Sequence, residues 1–143
     1  MSFAVDANIL IYAFNRDDPH HLKARELIEN LSKRDETWLM PWPVMHAFLR
    51  ITTHPGILQA PLSPGDAVSA VESLRALPNF QSAGELPEFW EIYRNDLLNI
   101  PLRANGVPDA VIANILISHG VSTLYTKDRD FLRLKNLKVV EPF

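Results

Sequence analysis

The sequence predicts an α/β fold with a parallel central sheet and helices on both faces. Short apolar strand candidates alternate with helical stretches along most of the chain, a pattern that favours parallel strands joined by helical crossovers. The 143 residues fit one domain, spanning 1–143. Internal repeats, low-complexity tracts and linkers are absent from the sequence.

Phe3 to Val5 is a short apolar strand that stops at Asp6, and Ile9 to Phe14 reads as a helix. His20 to Leu31 is a second helix, with Leu22, Leu27, Ile28 and Leu31 assigned to one face. The polar run Ser32 to Thr37 is a loop, and Trp38 to Met40 a second strand. Pro43 suits the first turn of a helix ending at Thr52. Ser63, Pro64 and Asp66 form a helix start, with Ser63 as N-cap, for a helix reaching Leu77. This helix and the one before it read as an inserted pair. Phe80 to Ser82 is a third strand. Pro87 to Leu98 is helical, with Phe89, Ile92, Tyr93 and Leu97 expected inside. Asn99 to Val107 is a loop; Pro108 opens an apolar helix that stops at His119-Gly120. Thr123–Tyr125 and Leu137–Val140 complete the strands.

Composition removes several classes of function. The chain has no cysteine, which excludes disulfides, a thiol nucleophile and a cysteine zinc site, and fits a reducing, cytoplasmic setting. No apolar run reaches membrane-spanning length, and the N-terminal stretch lacks signal-peptide features. Apolar residues make up 47%, an ordinary globular share. The net charge of −3 does not suit a protein that coats nucleic acid. Chemistry on a nucleic acid would need local cations, a bound metal or both. Only five glycines occur, without a dinucleotide or P-loop pattern.

The chemistry concentrates in acids at strand ends. Sites in open parallel sheets form at the carboxyl ends of strands. Asp6 follows the first strand, Asp109 lies in the first turn of an apolar helix, and Asp128 and Asp130 follow Thr123–Tyr125. Singly, each has a structural use as a cap, dipole partner or turn residue. Together they make a set of oxygen ligands that suits Mg²⁺ or Mn²⁺ better than zinc. Asn8 and Thr126 are short polar neighbours able to orient those carboxylates or to cap helices. Lys127, Arg129 and Arg133 flank the last acids, and Arg50 follows the apolar face of the third helix; these are the candidate phosphate contacts. His20 and His21 open a helix and are expected to be solvated. His119 suits a helix C-terminus, and His54 a turn before Pro55.

These motifs resemble the PIN-domain family. The opening Val5-Asp6-Ala7-Asn8-Ile9-Leu10-Ile11-Tyr12-Ala13 is similar to the family's first acidic element. Gly106-Val107-Pro108-Asp109-Ala110-Val111-Ile112-Ala113, followed by His119-Gly120, is similar to the helix carrying its next acid. Thr126-Lys127-Asp128-Arg129-Asp130-Phe131 is similar to the closing T-x-D-x-D-F element, and Phe48-Leu49-Arg50-Ile51-Thr52-Thr53-His54-Pro55 to a segment of one VapC subgroup. Order and spacing hold from Val5 to about Pro142.

The resemblance implies a PIN-like three-layer fold and a toxin ribonuclease that cuts RNA with Mg²⁺, for which Mn²⁺ can substitute. It also implies a cognate antitoxin covering the site, and a homodimer. Asp6, Asp109 and Asp128 would be the catalytic set, with Asp130 a further metal ligand. The chain departs from the family where many members carry a Glu early in the third helix; His46 stands near that position, and Asp130 or water would replace the missing oxygen. Two other readings remain: a catalytically silent PIN fold acting as a binding module, and a haloacid-dehalogenase-like phosphatase. The phosphatase needs a D-x-D pair where this chain has Asp6-Ala7-Asn8.

Overall fold

The computed structural model describes residues 1–134 and 136–143. In chain order the elements are β1 (Ser2–Val5), α1 (Ala7–Phe14), α2 (His21–Ser32), β2 (Thr37–Pro41), α3 (Trp42–Thr52), α4 (Pro64–Arg75), β3 (Phe80–Ala83), α5 (Phe89–Asn99), α6 (Gly106–Ser118), β4 (Thr123–Tyr125), a 3₁₀ turn (Arg129–Arg133) and β5 (Lys138–Val140).

All four strand pairings are parallel, in the order β3-β2-β1-β4-β5. The chain leaves β1 in one direction to build β2 and β3, then returns past β1 to add β4 and β5. Right-handed crossovers running in opposite directions place their helices on opposite faces of a sheet. Accordingly α1 packs on α2 and α3, α4 packs on α3, and α5 packs on α6. The reversal falls between β1 and β4, and a crevice opens at such a point beyond the strand carboxyl ends.

Register fixes the core. Phe3 pairs with Trp38, and Trp38 with Phe80, so an aromatic row crosses three strands. Its ring centroids lie 5.7 Å and 5.6 Å apart, within the range for favourable aromatic pairs. Trp38, Phe3, Phe48, Phe131 and Leu124 are among the fully buried side chains.

Several local expectations are corrected. Leu22 does not share the inner face of α2 and is 77% exposed. At about 100° per residue it lies nearly opposite Leu31, and Ala24 takes the buried position instead. In α5 no residue is fully buried among the described residues. Ile92 is exposed, while Phe89 and Tyr93 are only half-buried against the core. The helix that was expected to open at Pro108 starts at Gly106, because a proline in the first turn lacks only an N–H that has no helical acceptor. The 3₁₀ turn after Asp128 had no hydrophobic period long enough to signal it. The third strand extends one residue beyond Ser82, to Ala83.

Candidate active site

The reversal in strand order brings three separate segments together. Asp6 follows β1, and its backbone N–H donates to the Tyr125 carbonyl of β4 at 2.9 Å. Thr126, just past β4, therefore stands beside Asp6. Helix α6 leads into β4 and begins at this same edge, carrying Asp109 in its first turn.

A chain of hydrogen bonds links the acids. The Asp6 carboxylate caps α1 by accepting the Ala7 N–H at 2.7 Å. Its other oxygen accepts the Thr126 hydroxyl at 2.7 Å. The Thr126 oxygen in turn accepts the Asp128 N–H at 2.9 Å, and Asp128 Oδ1 accepts the Asp130 N–H at 2.9 Å, capping the 3₁₀ turn. Capping and site-building are thus done by the same side chains.

Asp109, Asp128 and Asp130 each offer a carboxylate oxygen, and these oxygens lie within 4.8 Å of one another. Asp6 is outside that trio, although its charge acts on both Asp109 and Asp128. The closest acidic set therefore differs from the expected Asp6, Asp109 and Asp128: Asp130 takes the third place. Both Asp6 oxygens already accept hydrogen bonds.

The electrostatics follow from burial and crowding. Burial, followed by the charges of Asp128, Asp6 and Asp130, pushes the Asp109 carboxyl up to about 7, with Arg133 opposing. Burial also raises Asp6, against the bonds from Thr126 and Ala7. Asp109 Oδ2 is buried without a hydrogen-bond partner among the described residues. An unpaired, buried oxygen amid mutually repelling carboxylates is the condition that a cation relieves. The donors are all oxygen, which fits a hard divalent ion.

The expected cations divide. Lys127 donates to Glu141 at 3.0 Å and to the Phe143 carbonyl, and its ammonium lies 5.5 Å from the Phe143 ring centroid. It is thus engaged with the residues after β5. Arg129 approaches Glu141 at 3.7 Å but is largely exposed. Arg133 approaches Asp130 at 3.7 Å. Arg50 is in the last turn of α3. That helix starts at the carboxyl end of β2 and runs back along the sheet, so Arg50 lies roughly 12 Å along it, toward the opposite edge. The structure does not bring Arg50 to the acids.

Asn8 makes no hydrogen bond to Asp6 or to a helix end among the described residues, and its Oδ1 is buried without a partner. Neither expected role has a hydrogen bond behind it; Thr126 orients Asp6 instead. His20 and His21 are not simply solvated. His20 packs between Tyr12 and Phe143, with ring centroids 5.0 Å and 5.3 Å away, and His21 Nδ1 lies 2.9 Å from the Tyr12 carbonyl oxygen. His46 is exposed and stacks on Trp42. His119 is the C-cap of α6, and His54 Nδ1 accepts the Gly56 N–H at 2.9 Å. Glu141, not among the acids expected from the sequence, follows β5 as Asp6 follows β1. Lys127, beside it, holds its carboxyl below the usual range.

Comparison with known proteins places the chain in a family. A family model described as "PIN domain" matches residues 3–137. The chain is 35% identical to "Ribonuclease VapC48" of Mycobacterium tuberculosis, over all of this chain and 99% of that protein. The crystal structure of VapC20 from the same organism, described as a Sarcin-Ricin loop cleaving toxin, superposes with a TM-score of 0.70 at 18% identity and covers 96% of this chain and 98% of that one. VapBC2 from Rickettsia felis, bound to a DNA fragment from its promoter, gives 0.69 at 22% identity, with 98% of each chain covered. The chain belongs to the PIN-domain family and, within it, to the VapC ribonucleases.

Proposed function

We propose that this chain is a metal-dependent endoribonuclease, the toxin half of a toxin–antitoxin pair, with Asp109, Asp128 and Asp130 as the direct holders of Mg²⁺ or Mn²⁺. The observation that carries the reading is the acidic trio, whose oxygens lie within 4.8 Å of one another. The partnerless Asp109 Oδ2 belongs to the same cluster.

A divalent ion bound here would offset the carboxylate repulsion, polarise a phosphodiester and activate water. The chain's own residues have definite tasks. Asp109 must be ionised to act as a ligand, and the cation supplies what burial opposes. Asp6, locked by Thr126 and Ala7, fixes the Thr126 hydroxyl and through it the Asp128 backbone. That hydroxyl is buried, donates to Asp6 and accepts from Asp128, so it is not free to attack phosphorus. With that hydroxyl withdrawn, water activated at a bound metal would be the nucleophile. Arg129 and Arg133, exposed beside the acids, are the cations placed to meet RNA phosphate.

Two surfaces support protein partners. A cavity of about 710 Å³ lies at the far end of α1 from Asp6, bounded by Phe14, Ile28, Leu62, Leu74 and Leu77, with Arg16 and Arg25 at its charged margin. It suits an apolar segment of an antitoxin. Trp90 and Leu98 are exposed on neighbouring faces of α5, which favours a homodimer contact there. No helix among the described residues is long and apolar enough to cross a membrane, and action on RNA fits the cytoplasm.

Digestion of total RNA by the purified protein, with Mg²⁺ or with EDTA, tests the reading. Cleavage should require the metal and should be lost in Asp109→Asn and Asp128→Asn. Equal cleavage in EDTA, or full activity in both variants, would refute it.

A further inference from the structure

A second cavity, of about 190 Å³, adjoins the acids. It is lined by the segment Thr126–Arg129 together with Leu132, Val139 and Glu141. Asp128 belongs to both this cavity and the acidic trio. A group bound here is therefore next to any phosphate held at the trio. The cavity falls below the roughly 300 Å³ at which pockets begin to hold drug-sized ligands, so it suits a single planar ring system.

Its walls have a defined chemistry. Leu132 is 62% exposed and, with Val139, offers an apolar surface to a ring face. Arg129, 80% exposed at its side chain, presents a planar guanidinium of the kind on which unstacked RNA bases lie. Glu141 faces the same space, with one oxygen 3.0 Å from Lys127 and the other 3.7 Å from Arg129. A carboxylate has about four lone-pair sites, so two further donors can be accepted. Guanine alone among the four RNA bases carries adjacent ring N–H and amino donors that match one carboxylate.

We propose that this cavity is a nucleobase subsite that selects guanine next to the cleaved phosphodiester, with Glu141 as the specificity-determining residue. The proposal rests on the ribonuclease reading and extends it from RNA in general to a base at a position.

Two measurements separate the subsite from that reading. The first is NMR titration of the metal-free protein with GMP, AMP, CMP and UMP. GMP should bind most tightly, by about 5-fold or more, and shift the amides of Lys127, Arg129 and Glu141. Glu141→Gln should remove the preference, and Leu132→Ala, at an exposed position, should weaken all four nucleotides alike. The second is cleavage of a randomised RNA in Mn²⁺ with mapped ends. Guanine should be enriched beside the cut for the native protein and not for Glu141→Gln. Equal affinity for the four nucleotides, shifts confined to another surface, or guanine selectivity retained in Glu141→Gln would overturn the subsite. Cleavage without base preference would overturn the subsite and leave the nuclease standing. GMP selectivity without metal-dependent cleavage would do the reverse.

Discussion

Replacing Asp109 by Asn should stabilise the metal-free protein while destroying its response to metal. The Asp109 carboxyl is pushed from 3.8 up to about 7 by burial and by Asp128, Asp6 and Asp130. A raised folded-state value means that stability from this group is fully present below pH ~3.8 and is lost as pH rises through ~7. At about 1.4 kcal/mol per tenfold, the ceiling on that loss is about 4 kcal/mol. The side chain is only half-buried, and solvent screening brings this to about 2 kcal/mol. For a chain of this length that corresponds to a melting temperature about 4–8 °C higher for Asp109→Asn at pH 8 in EDTA. The gap should shrink as the pH falls below about 7 and be nearly gone at pH 4, as the unfolded chain's carboxyl also takes up its proton. Adding Mn²⁺ at 100 times its Kd should stabilise the native protein by about 2.7 kcal/mol and the variant by much less. Thermal melts of both proteins at pH 8 and pH 4, with EDTA and with Mn²⁺, read all of this. An Asp109→Asn protein that melts below the native one in EDTA at pH 8 would refute the electrostatic reasoning.

Other perturbations should behave as follows. Thr126→Val keeps the shape of a buried side chain but removes the bonds to Asp6 and Asp128; denaturant melts should show a loss of about 1–3 kcal/mol, and cleavage should fall more than 10-fold. Arg133→Ala should weaken RNA binding about equally across sequences and reduce its salt slope by about one, whereas Arg50→Ala, toward the opposite edge, should leave that slope unchanged in the same binding titration. Ser63→Ala removes the 3.1 Å cap to Asp66 and should cost about 1 kcal/mol by chemical denaturation. Gly120 ends α6 at φ +76°, so Gly120→Ala should cost about 1–2 kcal/mol in the same assay.

What the sequence makes legible follows from how local each signal is. The alternation of strands and helices, the Ser63 cap and the glycine stop at Gly120 depend on neighbours a few residues away, and each could be read directly. The acids could be gathered because strand ends in a parallel sheet share an edge. Their ranking could not. The engagement of Asp6 by the Thr126 hydroxyl is a contact that spans 120 residues. The capture of Lys127 by Glu141 depends on β4 and β5 lying side by side. The charge of Arg50 is legible in the sequence, whereas the direction of α3 relative to the sheet is a tertiary property. The exposure of Leu22 follows from the 100° advance per residue, which sets it nearly opposite Leu31.

The central claim is that carboxylate-held metal and water cut RNA at this edge of the sheet. The most direct measurement is the chemistry of the ends left by the purified protein on a defined RNA, with Mg²⁺ and with EDTA. In-line attack by water predicts 5′-phosphate and 3′-hydroxyl ends that appear only with metal and vanish in Asp128→Asn. Ends bearing a 2′,3′-cyclic phosphate, formed in EDTA by the native protein and by Asp128→Asn alike, would contradict the account.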